Sequence, residues 1–179
     1  MYGLVNRAVK DLVVKEFGQG EWTSIMNLSK LKDDEFIDMK SYDDQLTYTL
    51  VESASMVLRL PPEIILKTFG EYWITYTAES GYGELLDMIG KNLDEFLLNL
   101  DTVHASVEVS FPDLSPPVFK VYQVTENVWD IRYHSERDGL GPMLEGLIIG
   151  LAKRFDDDVT VEPMPLVSNE KNRFRVVRL

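Results

Sequence analysis

Residues 118–137 read VFKVYQVTENVWDIRYHSER, and this stretch decides the fold class. β-branched and aromatic side chains are frequent in 118–124 and again in 128–135, on either side of the polar segment Thr125, Glu126 and Asn127. Two such runs flanking a short polar segment are typical of an antiparallel hairpin. We therefore predict two strands here, in a chain whose preceding residues follow a helical period instead.

The segment just before the hairpin, 92–107, has the clearest helical period. Its apolar positions recur at steps of three and four and form one stripe, which consists of Leu93, Phe96, Leu97, Leu100, Val103, His104 and Val107. His104 thus lies on the apolar stripe of a helix. Between helix and hairpin, 111–117 (FPDLSPP) predicts a loop, because its three prolines fit neither helix interiors nor strand ladders.

Working further outward, the sequence predicts helices at 4–17, 21–28, 43–60 and 61–79. A nearly continuous apolar run at 142–155 predicts a buried helix, and 159–164 and 173–177 predict two final strands. Helices followed by an antiparallel sheet with one inserted helix indicate an α+β fold. Gly70 lies inside the helix at 61–79, where glycine costs about 1 kcal/mol relative to alanine. It is either a close-packing point or a place to bend.

Composition bounds the class of protein. The 179 residues carry 18 Lys and Arg against 30 Asp and Glu, a net charge of −12. The length suits one domain, and the acidity argues against binding nucleic-acid backbone or anionic membrane. No apolar run approaches the ~20 residues of a membrane span, and the N-terminal segment does not resemble a signal peptide. We expect a cytoplasmic protein with neither a nucleic-acid nor a membrane partner.

The scarcest residues bound the chemistry. There is no cysteine, which excludes disulfides, thiolate metal ligands and cysteine nucleophiles together. The two histidines, His104 and His134, cannot build a zinc site of the usual Cys and His type. Any metal chemistry must use one histidine, carboxylates, or a cofactor that brings most of its own ligands.

The end of the hairpin carries the candidate chemistry. If the second strand continues through 133–137, Tyr133, Ser135 and Arg137 share one face, because strand side chains alternate. Two hydroxyls and a guanidinium on one face form a receptor for anionic oxygens. The ordinary alternative is the solvated face of an antiparallel sheet, just as a single histidine on an apolar stripe is more often a core residue. We assign His134, on the opposite face, to the surface.

Taken together, the order of these features resembles a known family. A histidine on a buried helical stripe, a proline loop, a hairpin and then Tyr-x-Ser-x-Arg are typical of the bacterial haem nitric oxide/oxygen-binding (H-NOX) domains, related to the haem domain of soluble guanylate cyclase. The resemblance extends over essentially the whole chain, in the segments MYGLVNRA (1–8), FGEYW (69–73), GYGELL (81–86), NLDTVH (99–104), SFPDLSPPVF (110–119), YHSER (133–137) and GLGPMLEGLIIGLAKRF (139–155).

The resemblance implies a fold and a cofactor. It implies one H-NOX domain over 1–179, with a helical distal subdomain at about 1–60, an α+β proximal subdomain at about 61–179, and haem b buried between them. It further implies that His104 is the axial ligand of the iron, and that Tyr133, Ser135 and Arg137 bind the propionates. By the same resemblance Pro117, or its neighbour Pro116, presses on the haem and distorts it.

The resemblance also indicates which gas binds. Oxygen-binding members carry a tyrosine five residues after the arginine of the motif, and Pro142, which has no donor, occupies that position. The implied distal wall consists of Val5, Trp73, Met143 and Leu147. Trp73 has an indole N–H, although its bulk is better suited to excluding water. We expect a sensor that binds NO and CO and discriminates against dioxygen.

The implied output is a signal and not a catalysed reaction. NO binding weakens the bond from iron to His104, its helix relaxes, and the N-terminal helices rotate with Gly70 as the hinge. The expected partner is a separate protein, a sensor histidine kinase or a cyclic-di-GMP enzyme. Two alternatives stay open: an enzyme that binds a small carboxylate through Tyr133, Ser135 and Arg137, and a cofactor-free interaction module. The enzyme lacks any motif that activates a nucleophile.

Overall fold

The computed structural model describes residues 1–31, 35–110, 116–167 and 170–179, with no side-chain description at 103 and 105–110. Within these ranges the fold is α+β, as predicted, with seven α-helices, one short π-helical segment (Ala78–Tyr82) and four strands. The helices are α1 (Gly3–Phe17), α2 (Gln19–Ser29), α3 (Asp44–Leu58), α4 (Pro62–Thr77), α5 (Gly83–Ile89), α6 (Leu93–Ser110) and α7 (Gly141–Arg154). The strands are β1 (Val118–Thr125), β2 (Val128–His134), β3 (Val159–Pro163) and β4 (Asn172–Arg178).

Contacts along the chain define two compact units, Met1–Phe69 and Gly70–Leu179, so the boundary falls inside α4. No helix in the described ranges combines the length and the apolar character that crossing a bilayer requires. The predicted proline loop at 111–117 lies mostly outside the described residues; Pro116 and Pro117 directly precede β1.

The first unit is built from α1, α2 and α3. Gly18 ends α1 at a φ of +94°, where its amide donates to the carbonyls of Val13 and Val14. This positive φ explains why a glycine separates α1 from α2. Asp43 caps α3, its carboxylate accepting from the Gln45 amide at 2.8 Å. The core of the unit is completed by the fully buried side chains Trp22, Ile25 and Leu50.

The second unit contains the sheet, whose strand order is β1-β2-β4-β3 with every pair antiparallel. Alternate residues of the strands face one core, namely Phe119, Trp129, Ile131, Tyr133, Phe174 and Val176. Helix α6 contributes Leu93, Phe96 and Leu97 to the same core, and α7 contributes Leu144, Ile148 and Leu151. Of the stripe predicted on 92–107, Leu93, Phe96 and Leu97 therefore lie on the face that α6 packs against the sheet, and the side chains at 103 and 107 lie outside the described residues.

Helices α4 and α7 approach closely at glycines. A Cβ on Gly70 would lie 2.1 Å from the carbonyl oxygen of Met143 and 2.8 Å from the amide nitrogen of Leu147. A Cβ on Gly150 would lie 2.7 Å from the carbonyl oxygen of Glu71. Gly70 is thus a close-packing point in a helix that is continuous from Pro62 to Thr77, and its role as a hinge stays a prediction.

Two local features differ from the sequence prediction. The helix α5 was not predicted, because it has only seven residues and follows a break in helical geometry at Ser80 and Gly81. A seven-residue segment is too short for a periodic pattern to be distinctive. Strand β2 ends at His134, so Ser135 and Arg137 lie in the loop that follows it.

Candidate functional site

The position of His104 follows from the packing of α6. Leu93 and Leu97, three and two helical turns before His104, are almost completely buried, so the imidazole continues the same helix face. Its Nδ1 lies 2.8 Å from the carbonyl oxygen of Leu100, one turn earlier. A carbonyl oxygen only accepts, so Nδ1 is the nitrogen that carries the proton. The neutral imidazole then has its lone pair on Nε2, the atom that can bind a metal.

The electrostatics of His104 favour this neutral form. Burial lowers the pKa of His104 below its ordinary value of 6.5, although the bond to Leu100 and the charge of Asp101 act in the opposite direction. Metal binding requires a deprotonated ligand nitrogen. The imidazole therefore needs no proton loss near neutral pH before it coordinates a metal.

Tyr133, Ser135 and Arg137 come together at the end of β2. Ser135 Oγ accepts from the backbone amide of Arg137 at 3.1 Å, which closes a turn directly after the strand. The Tyr133 hydroxyl is hydrogen-bonded to Ser135 and lies near the charge of Arg137, and both lower the pKa of Tyr133. Burial is the larger effect and raises that pKa above 10, so the phenol keeps its proton and is available as a donor.

The alternative interpretation of this trio as a solvated sheet face is wrong for Tyr133. Its side chain is only 4% exposed and belongs to the core with Trp129 and Ile131, because these three alternate on the inner face of β2. Ser135 and Arg137 join it through the turn and not through continued strand alternation. His134 is on the opposite face and is partly buried.

A residue to which sequence reasoning gave no role connects the two parts of the site. The ring of Phe119 lies 5.1 Å from the His104 ring and 5.2 Å from the Tyr133 ring, centroid to centroid. Phe119 is the cross-strand partner of Tyr133 in the β1–β2 hairpin. The register of the predicted hairpin was the available signal, since it places position 119 beside 133.

The remaining predicted residues are distributed over both units. Val5 lies on α1 in the first unit and is partly buried. Trp73 and Leu147 pack against the core of the second unit, and Met143 is one helical turn before Leu147 on α7. Contacts at Gly70 bring the backbone of α4 to Met143 and Leu147. Pro117 is partly buried beside β1, and its predicted contact with haem stays a prediction.

These residues fit a haem group. His104 offers one neutral nitrogen, so an iron held there would need its other ligands from a cofactor such as haem, as in haem proteins with a proximal histidine. Haem also carries two propionates, and the Tyr133, Ser135 and Arg137 cluster supplies donors for such anionic oxygens. One aromatic side chain, Phe119, lies between His104 and Tyr133 and contacts both rings. The fold and these residues together are those of a domain that could bind haem.

Comparison with known proteins gives the family. Residues 2–163 match the haem-NO-binding (HNOB) family. The chain is 32% identical over 165 residues to the soluble guanylate cyclase gcy-32 of Caenorhabditis elegans, which covers 90% of this chain and 24% of that protein. It is 38% identical over 100 residues to the rat guanylate cyclase soluble subunit beta-2, covering 55% of this chain and 15% of that subunit. The chain therefore spans about a quarter or less of these relatives.

Solved structures have the same fold. An H-NOX protein from S. oneidensis in the Fe(II) ligation state superposes with a TM-score of 0.89 at 20% identity, covering 100% of this chain and 96% of that one. The Fe(II) unliganded H-NOX protein from K. algicida gives a TM-score of 0.86 at 21% identity, covering 100% of this chain and 97% of that one. The chain belongs to the haem-NO-binding, or H-NOX, family of gas-sensing domains, whose cofactor is haem, Fe protoporphyrin IX.

Proposed function

We propose that this domain binds NO, and also CO, at ferrous haem, discriminates against dioxygen, and passes the signal to a separate partner protein. The observation that carries the proposal is the state of His104: a neutral imidazole with Nδ1 bound to Leu100, on the helix packed beside the Tyr133, Ser135 and Arg137 cluster. When bound, ferrous haem would supply the metal to which a diatomic gas binds, and His104 would hold that metal.

Each residue has one role in this proposal. His104 is the axial ligand through Nε2, and Leu100 fixes the tautomer that exposes this nitrogen. The propionates are bound by Tyr133, Ser135 and Arg137. The protonated phenol of Tyr133 and the guanidinium of Arg137 donate hydrogen bonds to them. Pro117 presses against the haem from the start of β1. Two neighbouring sequence positions, 116 and 117, are proline, and 117 is the one adjoining the strand.

Gas selectivity is proposed to rest on the scarcity of hydrogen-bond donors among the proposed distal residues, of which Trp73 has an indole N–H. Bound dioxygen is stabilised by a hydrogen-bond donor, whereas NO and CO need none. Pro142 has no N–H, and Val5, Met143 and Leu147 are apolar. Trp73 contributes bulk and a ring that packs on Tyr76 at 6.2 Å between centroids. We propose that these residues form the distal wall and that this wall disfavours dioxygen.

The proposed signal is a release of His104 that relaxes α6. The distal subdomain, at about 1–60, then moves against the proximal subdomain, at about 61–179, with Gly70 as the hinge. The contact-defined boundary at Gly70 supports this position for the hinge. The proposed output is regulatory and not catalytic, and a sensor histidine kinase or a cyclic-di-GMP enzyme in the cytoplasm is the proposed partner.

The absorption spectrum of the purified, reduced protein tests the proposal. We expect an intense Soret band that shifts on addition of NO and of CO and stays unchanged in air-saturated buffer after oxidation has been excluded. A stable new spectrum in air that reverses under argon would contradict the proposed discrimination. Absence of any Soret band after reconstitution with haemin would overturn haem-based gas sensing by this chain altogether.

A further inference from the structure

We propose that Phe119 is a positioning residue, which fixes the imidazole plane of His104 and couples that residue to Tyr133. The proposal rests on the proposed function, because it takes His104 as the iron ligand and Tyr133 as part of the propionate site. Phe119 touches both side chains through its ring, at centroid distances of 5.1 and 5.2 Å.

The hydrogen bond from His104 to Leu100 leaves one degree of freedom. It holds a single ring atom, Nδ1, at 2.8 Å from the Leu100 carbonyl oxygen, and the plane of the imidazole can still rotate about that hydrogen bond. The Phe119 ring packs on the imidazole with 32° between the two planes, and their centroid distance of 5.1 Å lies in the range that aromatic pairs favour. A flat neighbour at this distance restricts the swing, so both Nδ1 and the ring plane are defined.

Phe119 can act in this way because it is itself held from two sides. It is 6% exposed and meets the Tyr133 ring at an interplanar angle of 64°, an edge-to-face contact between cross-strand partners. Its backbone amide donates to Asp101 Oδ1 at 3.3 Å, and this hydrogen bond links the start of β1 to α6. The ring is therefore fixed by the sheet and its backbone by the helix that carries His104.

A consequence follows for signalling. The strength of a bond from an imidazole to a metal depends on the orientation that its surroundings impose. His104 cannot rotate or withdraw without changing its contact with Phe119, and Phe119 cannot yield without changing its contact with Tyr133. A change at the axial ligand is thereby transmitted to the end of β2, next to Ser135 and Arg137.

The test uses the haem-loaded full chain with Phe119→Leu, and Phe174→Leu as a matched control. Phe174 is equally buried on the same sheet face, but its cross-strand neighbours are Ile131 and Pro163. Resonance Raman spectroscopy of the ferrous protein measures the iron–imidazole stretching band, and stopped-flow absorbance measures the rate at which His104 leaves on NO addition. Phe119→Met is a second variant without a ring, used if Phe119→Leu does not fold.

We expect Phe119→Leu to broaden and shift the iron–imidazole band and to speed loss of His104 by roughly two- to tenfold, the range expected for a lost aromatic pair. Phe174→Leu is expected to retain the wild-type band and rate. If the Phe119 variants keep the wild-type band and rate, or if Phe174→Leu changes them equally, the positioning role of Phe119 is overturned. The proposed function is not affected by either result. Absence of the band from wild-type protein would overturn the proposed function as well.

Discussion

At the scale of single residues, the site depends on two local hydrogen bonds that decide which atoms face a cofactor. Leu100 accepts from His104 Nδ1 and thereby leaves the lone pair on Nε2. Ser135 accepts from the Arg137 amide and so brings the guanidinium back towards Tyr133. In an acidic protein of net charge −12, this brings a cation and two hydroxyls together at the proposed site for an anionic group.

Arg137 is the member of the proposed propionate site whose loss should weaken haem binding most. We expect Arg137→Gln to release haem about ten- to a hundredfold faster, because a charge-assisted hydrogen bond contributes about 1.5–3 kcal/mol. Transfer of haem to excess apomyoglobin, followed by absorbance, measures this rate. Arg175→Gln, an exposed arginine on β4, makes the same change of charge and should leave the rate unaltered. Equal rates in wild type and Arg137→Gln would refute the assignment.

The sequence identified His104, Tyr133, Ser135 and Arg137 as candidates, but not how they are held. The helical period placed His104 on the packed face, and the structure gives it neighbours in Leu100 and Phe119. The carbonyl bond could not be predicted from the sequence, since every helical residue has a carbonyl four positions earlier. Tyr133 was expected on a ligand-facing strand surface and is instead a core residue whose hydroxyl reaches Ser135.

At the scale of secondary structure elements, the crossing of α4 and α7 is set by glycine. We expect Gly70→Ala to destabilise the domain by about 1–3 kcal/mol, because its Cβ would overlap the backbone of Met143 and Leu147. Gly20→Ala on α2 meets nothing within 4 Å and should stabilise by up to ~1 kcal/mol. Urea unfolding followed by circular dichroism compares the two. Changes of the same sign at both positions would contradict close packing at Gly70.

The outer face of the sheet should respond to acid. Arg173 on β4 donates to the Asp130 carboxylate on β2 at 3.0 and 3.1 Å, and this bond lowers the pKa of Asp130 below its ordinary 3.8. The carboxylate therefore adds stability that is fully present above pH 3.8 and is lost as pH falls through the lower pKa of the folded state.

Asp130→Asn should accordingly reduce stability at pH 7 and flatten its decline below pH 3.8. Thermal unfolding at a series of pH values measures both effects. Glu126→Gln, in the exposed hairpin turn, serves as the control that removes one carboxylate without breaking this pair. A pH profile of Asp130→Asn that parallels wild type would show that the ion pair with Arg173 contributes nothing.

Element prediction succeeded where a period was long and failed where geometry was local. The hairpin, α6 and α7 were predicted because alternating or three-and-four spacings extend over many residues. The strand order β1-β2-β4-β3 could not be predicted from the sequence. Nothing in residues 159–163 indicates that this strand pairs with 172–178 and not with the first hairpin. Helix α5 was not predicted, because it has only seven residues and a break in helical geometry at Gly81 precedes it.

At the scale of the whole molecule, the net charge predicts that the domain does not bind nucleic acids or anionic membranes. A net charge of −12 opposes binding to phosphate backbones and to anionic lipid surfaces. We expect no co-sedimentation with vesicles rich in phosphatidylserine and no shift of duplex DNA at physiological ionic strength. Binding to either that weakens as salt is raised would show a concentrated basic surface that the overall charge conceals.

The central claim is that His104 holds the haem of this domain. The most direct measurement is the ratio of haem to protein, with the absorption spectrum, in His104→Gly purified and reconstituted beside the wild type. We predict that the variant loses stoichiometric, histidine-ligated haem, and that added imidazole restores the wild-type spectrum by replacing the missing ligand. Full haem content with an unchanged ferrous spectrum in His104→Gly, without imidazole, would contradict the account.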